Sequence, residues 1–333
     1  MKALVYTQPN EVQLLDRPAP ALDAGEVILK IEAVGICGSD MHAYHGHDPR
    51  RKPGLVLGHE FCGVVVESAS PNYSKGTRVT GNPLITCGTC DYCVQGRNNL
   101  CVNRTMVGMT RPGAFAELMS IPAGSLIDMP QDMSAVHAAV TEPGATALHA
   151  INLSMRALVR PVQECRTLIL GGGAIGMLSA LLLKSYGCGD VTVAEVNPLR
   201  REQLAQHAQV KTYNPKDTQP ADNNFDFVMD AVGSKITRNT ALAAVKAGGV
   251  VMHIGLQDWA SEIDMRRLTL AEITLLGTYT YTTADLRATV AAIHRGAFGD
   301  LAWLDARSLA DGAQAFADLD QGKAASAKVI LCP

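Results

Sequence analysis

The chain has 333 residues, of which 47% are hydrophobic, and a formal net charge of −3. That length accommodates two domains, and the near-neutral charge excludes a general attraction to nucleic acid or to an anionic membrane. Met1–Tyr6 gives way at once to polar residues, unlike a signal peptide, and the longest apolar run, 177–183, ends at Lys184, far short of a bilayer span. A soluble, cytoplasmic protein with no nucleic-acid or membrane partner is expected.

In chain order, Met1–Tyr6 and Glu11–Asp16 alternate polar and apolar residues as a hairpin turning at Gln8-Pro9-Asn10. Val27–Val34 reads as a strand that delivers the chain to Gly35-Ile36-Cys37-Gly38-Ser39-Asp40-Met41-His42. The polar stretch 43–52, rich in His and Arg, is expected to be a surface loop. Short strands are expected at 63–67, 77–80, 114–119 and 126–129, so the first region reads as an all-β domain. From about residue 135 the composition turns Ala/Leu-rich with helical periodicity, at 135–140 and 145–159. From Arg166 strands and helices alternate: strands 167–170, 190–195, 225–230, 249–254 and 273–279, with helices 174–186 and 198–207 among the connections. Alternation of this kind means a doubly wound parallel sheet. A helix over 284–294 and a last strand over 328–331 complete the chain.

Gly171-Gly172-Gly173-Ala174-Ile175-Gly176 is a G-x-G-x-x-G placed between a strand and a helix. There the glycines permit a tight turn, close approach to a pyrophosphate and close helix–strand packing. Glu195 ends the second strand, where a carboxylate binds the adenosine ribose hydroxyls and repels a 2′-phosphate; this favours NAD over NADP. Arg200 and Arg201 would hold such a phosphate, but they fall beyond Pro198 and are expected on the solvated face of a helix.

Cysteines are unusually informative here. Four of the nine, Cys87, Cys90, Cys93 and Cys101, form a C-x2-C-x2-C-x7-C run in a polar loop. Four thiolates complete a closed tetrahedral zinc site with no position for substrate, hence a structural one. A second, open site is expected from Cys37, His59 and Glu142, three ligands of sulfur, nitrogen and oxygen type that leave a position for water or substrate. Taken singly, each of these residues also reads as an ordinary core thiol, a bonded imidazole or a helix-boundary carboxylate. Beside a dinucleotide motif the open-site reading is the better one, with Ser39 and His42 placed to handle a proton and Asp40 to orient a ligating imidazole.

With these motifs assembled, the chain resembles the zinc-dependent medium-chain alcohol and polyol dehydrogenases. The resemblance rests on 35–42, Gly58-His59-Glu60, the four cysteines, 113–117, Glu142-Pro143, the glycine motif and Lys328-Val329-Ile330-Leu331. It implies an α/β fold: a Rossmann doubly wound parallel sheet plus a GroES-like, partly barrel, β-rich catalytic domain. The expected division is 1–150 for the catalytic zinc domain, 151–283 for the NAD-binding domain and 284–333 for a segment returning to the first. It also implies one catalytic and one structural zinc per chain. Glu60 becomes a carboxylate near the catalytic metal that can exchange onto it, Ser39 and His42 a proton relay, and Val232 and Ile254 further cofactor contacts beside Gly171, Gly173, Ala174, Ile175, Gly176 and Glu195. Glu142, where simple alcohol dehydrogenases carry Cys, points to the sorbitol and threonine dehydrogenase branch. The implied activity is hydride transfer between NAD and a secondary hydroxyl of a polyol or sugar-derived substrate by a homodimer or homotetramer. The alternatives are a threonine- or simple-alcohol-type enzyme, a sugar acid or sugar phosphate dehydrogenase, and a non-catalytic NAD(P) sensor. Arg50, Arg51 and Arg111 are candidates to clamp an acidic substrate; the plainer reading puts them on a solvated loop. Two departures from the family pattern bear on the pyrophosphate: Gly38, where some relatives use Arg, and Tyr279-Thr280-Tyr281, where polyol dehydrogenases often carry an arginine.

Overall fold

The computed structural model describes residues 1–333. Six parallel strands, 166–170, 190–194, 211–213, 225–230, 245–253 and 274–277, form one sheet. Numbered in chain order they lie 3-2-1-4-5-6 across it, the doubly wound arrangement that leaves a crevice where the order reverses. Strand 211–213 was not anticipated: Lys211-Thr212-Tyr213 is too short and polar to show a β pattern. Helix 198–203 passes into a π-helical turn over 204–208 instead of continuing as α-helix.

The first region builds a seven-stranded sheet around strand 26–35, which pairs with 60–68, 118–122 and 329–332. The last strand therefore sits beside one of the first, between 26–35 and 305–308. Phe316 and Leu331, from the end of the chain, are buried in the same core as Leu4, Phe61 and Phe115. Strand 305–308 and helix 312–320 add to this return.

Segment 43–52 is not simply a surface loop. Gly38–Tyr44 is helical, Asp48 and Arg51 are buried, and only part of the remainder faces solvent. The longest helix runs 141–155, four residues earlier than the expected 145–159, so Glu142 sits in its first turn. It packs against helix 283–294 through an Asp285–His149 pair at 2.8 Å and an Asn152–Asp285 hydrogen bond.

Candidate active site and metal centres

Cys37 precedes helix 38–44, and Asp40 in its first turn accepts the Cys37 N–H at 3.0 Å. This ties the helix start to the end of strand 26–35 and fixes the direction of the thiol. His59 immediately precedes the neighbouring strand and Glu60 begins it; Gly35 lies opposite Glu60 in the register. A Cβ on Gly35 would stand 2.1 Å from Glu60 Oε2, so only glycine leaves room for that carboxylate. Cys37 Sγ, a His59 ring nitrogen and a Glu60 oxygen thus come within 4.8 Å of one another.

Asp40 is fully buried, with its Oδ1 3.4 Å from His59 Nδ1. That distance is an ion-pair contact, and the geometry leaves Nδ1 without a proper hydrogen bond. Burial opposes charge on both groups, but their mutual attraction wins: the Asp40 pKa is lowered, and His59 is raised well above the ordinary imidazole range by Asp40 and Cys37. A cation at the other ring nitrogen would relieve the same field without a proton. Ser39 Oγ lies 3.4 Å from His59 Nε2.

Glu142 stands beside this trio and is not part of its close set. Burial, reinforced by the charge of Glu60 and opposed by His59, Tyr281 and Lys328, pushes its pKa up to about 7. Its Oε1 accepts a 2.8 Å hydrogen bond from the hydroxyl of fully buried Tyr281. Both Glu60 oxygens receive the Lys328 ammonium at 2.7 Å, and Lys328 also donates to Ile36 O. In the sequence Tyr281 and Lys328 stand out only as parts of motifs, and nothing local to either residue signals its contact.

His42 is one helical turn beyond Ser39 and exposed, and no hydrogen bond joins the two. Although its edge meets solvent, partial desolvation by the surrounding atoms, with the neighbouring His47, His45 and Arg51, lowers its pKa, so its imidazole is a ready acceptor near neutral pH. Two of the three arginines meet neither expectation, and only Arg50 lies on a solvated loop. Buried Arg51 holds Gly108 O, Ser39 O and Asp48; Arg111 grips Glu26 with a bidentate pair; Arg50, the exposed one, pairs with Asp48. Arg51 and Arg111 are committed to the scaffold and do not form a substrate clamp.

The four cysteines meet as a cluster. The Cys90–Cys93 and Cys87–Cys101 Sγ separations are both 3.5 Å, and Cys87–Cys93 is 4.0 Å. Zinc–sulfur bonds of about 2.3 Å at tetrahedral angles put sulfurs roughly 3.8 Å apart, so the cluster fits a zinc ion. Backbone N–H groups of Thr89 and Cys90 bring the Cys87 thiol down to about 5.

In the parallel sheet, Gly171 has φ +98° and sits against Val232, while a Cβ on Gly176 would stand 1.9 Å from Gly171 O. A Cβ on Gly173 would meet nothing, and helix 174–185 starts without a side-chain cap. Open space over uncapped N–H groups suits a pyrophosphate. Val232 and Ile254 follow the ends of strands 225–230 and 245–253 and are anchored by Asp230. Glu195 accepts the Gly172 and Asn197 N–H groups at 2.7 Å each, with lone pairs left over for a ribose. Arg200 and Arg201 do not form a solvated face: Arg201 binds Glu195 O and Val196 O, and Arg200 Nε is buried and unpartnered.

Comparison with known proteins agrees with this architecture. Residues 23–131 match the family model of the alcohol dehydrogenase GroES-like domain, and residues 174–295 match that of the zinc-binding dehydrogenases. The chain belongs to the zinc-dependent medium-chain alcohol and polyol dehydrogenases. This dehydrogenase is 32% identical over 346 aligned positions to the 2-dehydro-3-deoxy-L-galactonate 5-dehydrogenase of Pseudoalteromonas atlantica, with 100% of this chain and 99% of that one covered. It is 33% identical to an L-threonine 3-dehydrogenase of Chelativorans sp., covering 84% and 83%. A zinc-binding dehydrogenase of Sinorhizobium meliloti solved with NADP superposes at TM-score 0.89 and 30% identity, covering 100% and 99%. No helix of this dehydrogenase is long and apolar enough to cross a membrane.

Proposed function

We propose that this dehydrogenase oxidises a secondary hydroxyl of a polyol or sugar-derived substrate with NAD. The convergence of Cys37, His59 and buried Glu60, with buried Glu142 in the field of His59 and Glu60, carries the reading. Cys37, His59 and Glu142 hold the catalytic zinc. Glu60 stands by as the exchanging carboxylate, because Lys328 engages both its oxygens while Tyr281 engages only one of Glu142's. When bound, zinc supplies Lewis acidity towards a hydroxyl and the nicotinamide ring a two-electron acceptor. Asp40 orients His59, Ser39 beside His59 takes the substrate's proton, and exposed His42 passes it to solvent. Cys87, Cys90, Cys93 and Cys101 hold the structural zinc.

Glu195 supports NAD, since a carboxylate at the end of the second strand repels a 2′-phosphate; the half-buried Arg200 and the NADP-bound relative favour the opposite preference. The commitment of Arg51 and Arg111 favours a neutral polyol. A sugar acid or threonine is the second reading, favoured by the relatives' activities. Nine cysteines without a disulfide among them suit the cytoplasm. Assembly of copies is supported by the outer strand 274–277, an unpaired sheet edge, and by fully exposed Trp259.

The test is cofactor reduction across polyols, aldonic acids, threonine and short alcohols, with NAD and NADP in parallel. Turnover of a polyol with NAD, abolished in Cys37→Ser, is expected. Turnover of acids alone, or with NADP alone, overturns the corresponding half of the reading. Sedimentation at micromolar concentration reads the assembly.

A further inference from the structure

The four-cysteine lobe touches the active site's supporting segment at three points. Asn99, itself buried, donates to Tyr279 O at 2.8 Å. Asn98 makes a two-way contact with Thr283, Nδ2 to Oγ1 at 3.0 Å and Oδ1 from the backbone N–H at 3.1 Å. Arg104, bonded to Cys101 O, stacks over the Tyr279 ring at 4.8 Å. These contacts bracket Thr280, whose φ is +45°. A β-branched residue avoids the left-handed region, so such a conformation persists only where its surroundings over-determine it. The Thr278 and Thr280 hydroxyls are buried without partners, so their side chains contribute no bond that would hold the turn. The residue that follows is Tyr281, whose hydroxyl meets Glu142.

We propose that Asn98 and Asn99 are positioning residues for the active site: they hold the left-handed turn at Thr280 and thereby keep the Tyr281 hydroxyl on Glu142. The lobe's tetrathiolate centre fixes 98–101, and the two asparagines carry that rigidity to a carboxylate far from it in sequence. The functional half of this inference rests on the dehydrogenase reading above; the structural half does not.

The experiment compares wild type, Asn98→Ala/Asn99→Ala, the single Asn99→Ala, Tyr281→Phe and the asparagine variants combined with Thr280→Asn, since Asn tolerates the left-handed region. Amide exchange over 278–283 reads the turn directly. The thiolate absorption of the Co2+-loaded protein reports whether the lobe is intact. With that band unchanged, exchange is expected to accelerate, and kcat for the best substrate to fall on the order of tenfold. The loss should not add to that of Tyr281→Phe, and Thr280→Asn should restore both readouts. Unchanged exchange, additive losses or failure of the rescue overturns the proposal. If the double variant loses the thiolate band, Asn99→Ala with and without Thr280→Asn decides in the same way. Faster exchange and rescue in a protein that oxidises no alcohol would leave the clamp standing and remove the dehydrogenase reading.

Discussion

Lys328 places its ammonium 2.7 Å from both carboxylate oxygens of Glu60, and neither side chain has more than 2% of its surface exposed. Burial alone would lower the Lys328 pKa; Glu60, with Cys37, more than reverses this. Removing one member leaves the other's charge buried without compensation. Lys328→Met is therefore expected to destabilise the protein by about 3–5 kcal/mol and to weaken the metal site. Urea unfolding and metal content measured together check this; an unchanged midpoint with full metal would show the pair to be dispensable.

The same carboxylate limits its neighbour. In Gly35→Ala the new methyl meets Glu60 Oε2, an atom that Lys328 prevents from swinging away. We expect a loss of roughly 1–3 kcal/mol, typical of overpacking, together with weaker metal binding. Thermal unfolding of the variant reads the first effect, and wild-type stability would mean that Glu60 has somewhere else to go.

Asp285 gives a pH-dependent prediction. Burial tends to raise its pKa, but His149 and Thr282 bring it down to about 2. A carboxyl depressed on folding contributes stability above its unfolded value near 3.8 and loses it as pH falls towards the folded value. The gap between wild type and Asp285→Asn should be fully developed by about pH 5. Allowing for partial solvent screening, it should amount to about 1–2 kcal/mol and shrink from pH 4 downwards. Denaturation series at several pH values measure it; a gap that widened in acid would contradict the assignment.

Cys93→Ser should remove the lobe's metal and leave that of the Cys37–His59 site in place. Limited proteolysis should then cut within 87–101, a loop with little regular structure of its own. Resistance to cleavage would mean that the lobe is held by packing and not by metal.

Much of this was legible in the chain because the signals were local. The glycine motif, the four cysteines and the βα alternation each announce themselves within a few residues. What escaped depends on partners far away. Lys-Thr-Tyr at 211–213 and Asp-Ala-Arg-Ser at 305–308 become strands only because a neighbouring edge accepts them. Arg51 looked like surface because charge usually is; Asp48, Gly108 and Ser39 bury it. Tyr281 contacts a residue 139 positions away, a distance at which no periodicity or spacing rule operates.

The Glu60–Lys328 contact spans 268 positions, and this sets an order of events during synthesis. The parallel sheet is built entirely from 166–277 and is free to collapse while the ribosome is still working. The first domain must wait with a vacant slot beside strand 26–35 and an unneutralised Glu60 until residues 328–332 emerge. Translation stalled before that point would leave a nascent chain with a finished cofactor crevice and an unfinished metal site. Such a chain is a natural client for chaperones that recognise unpaired strand edges.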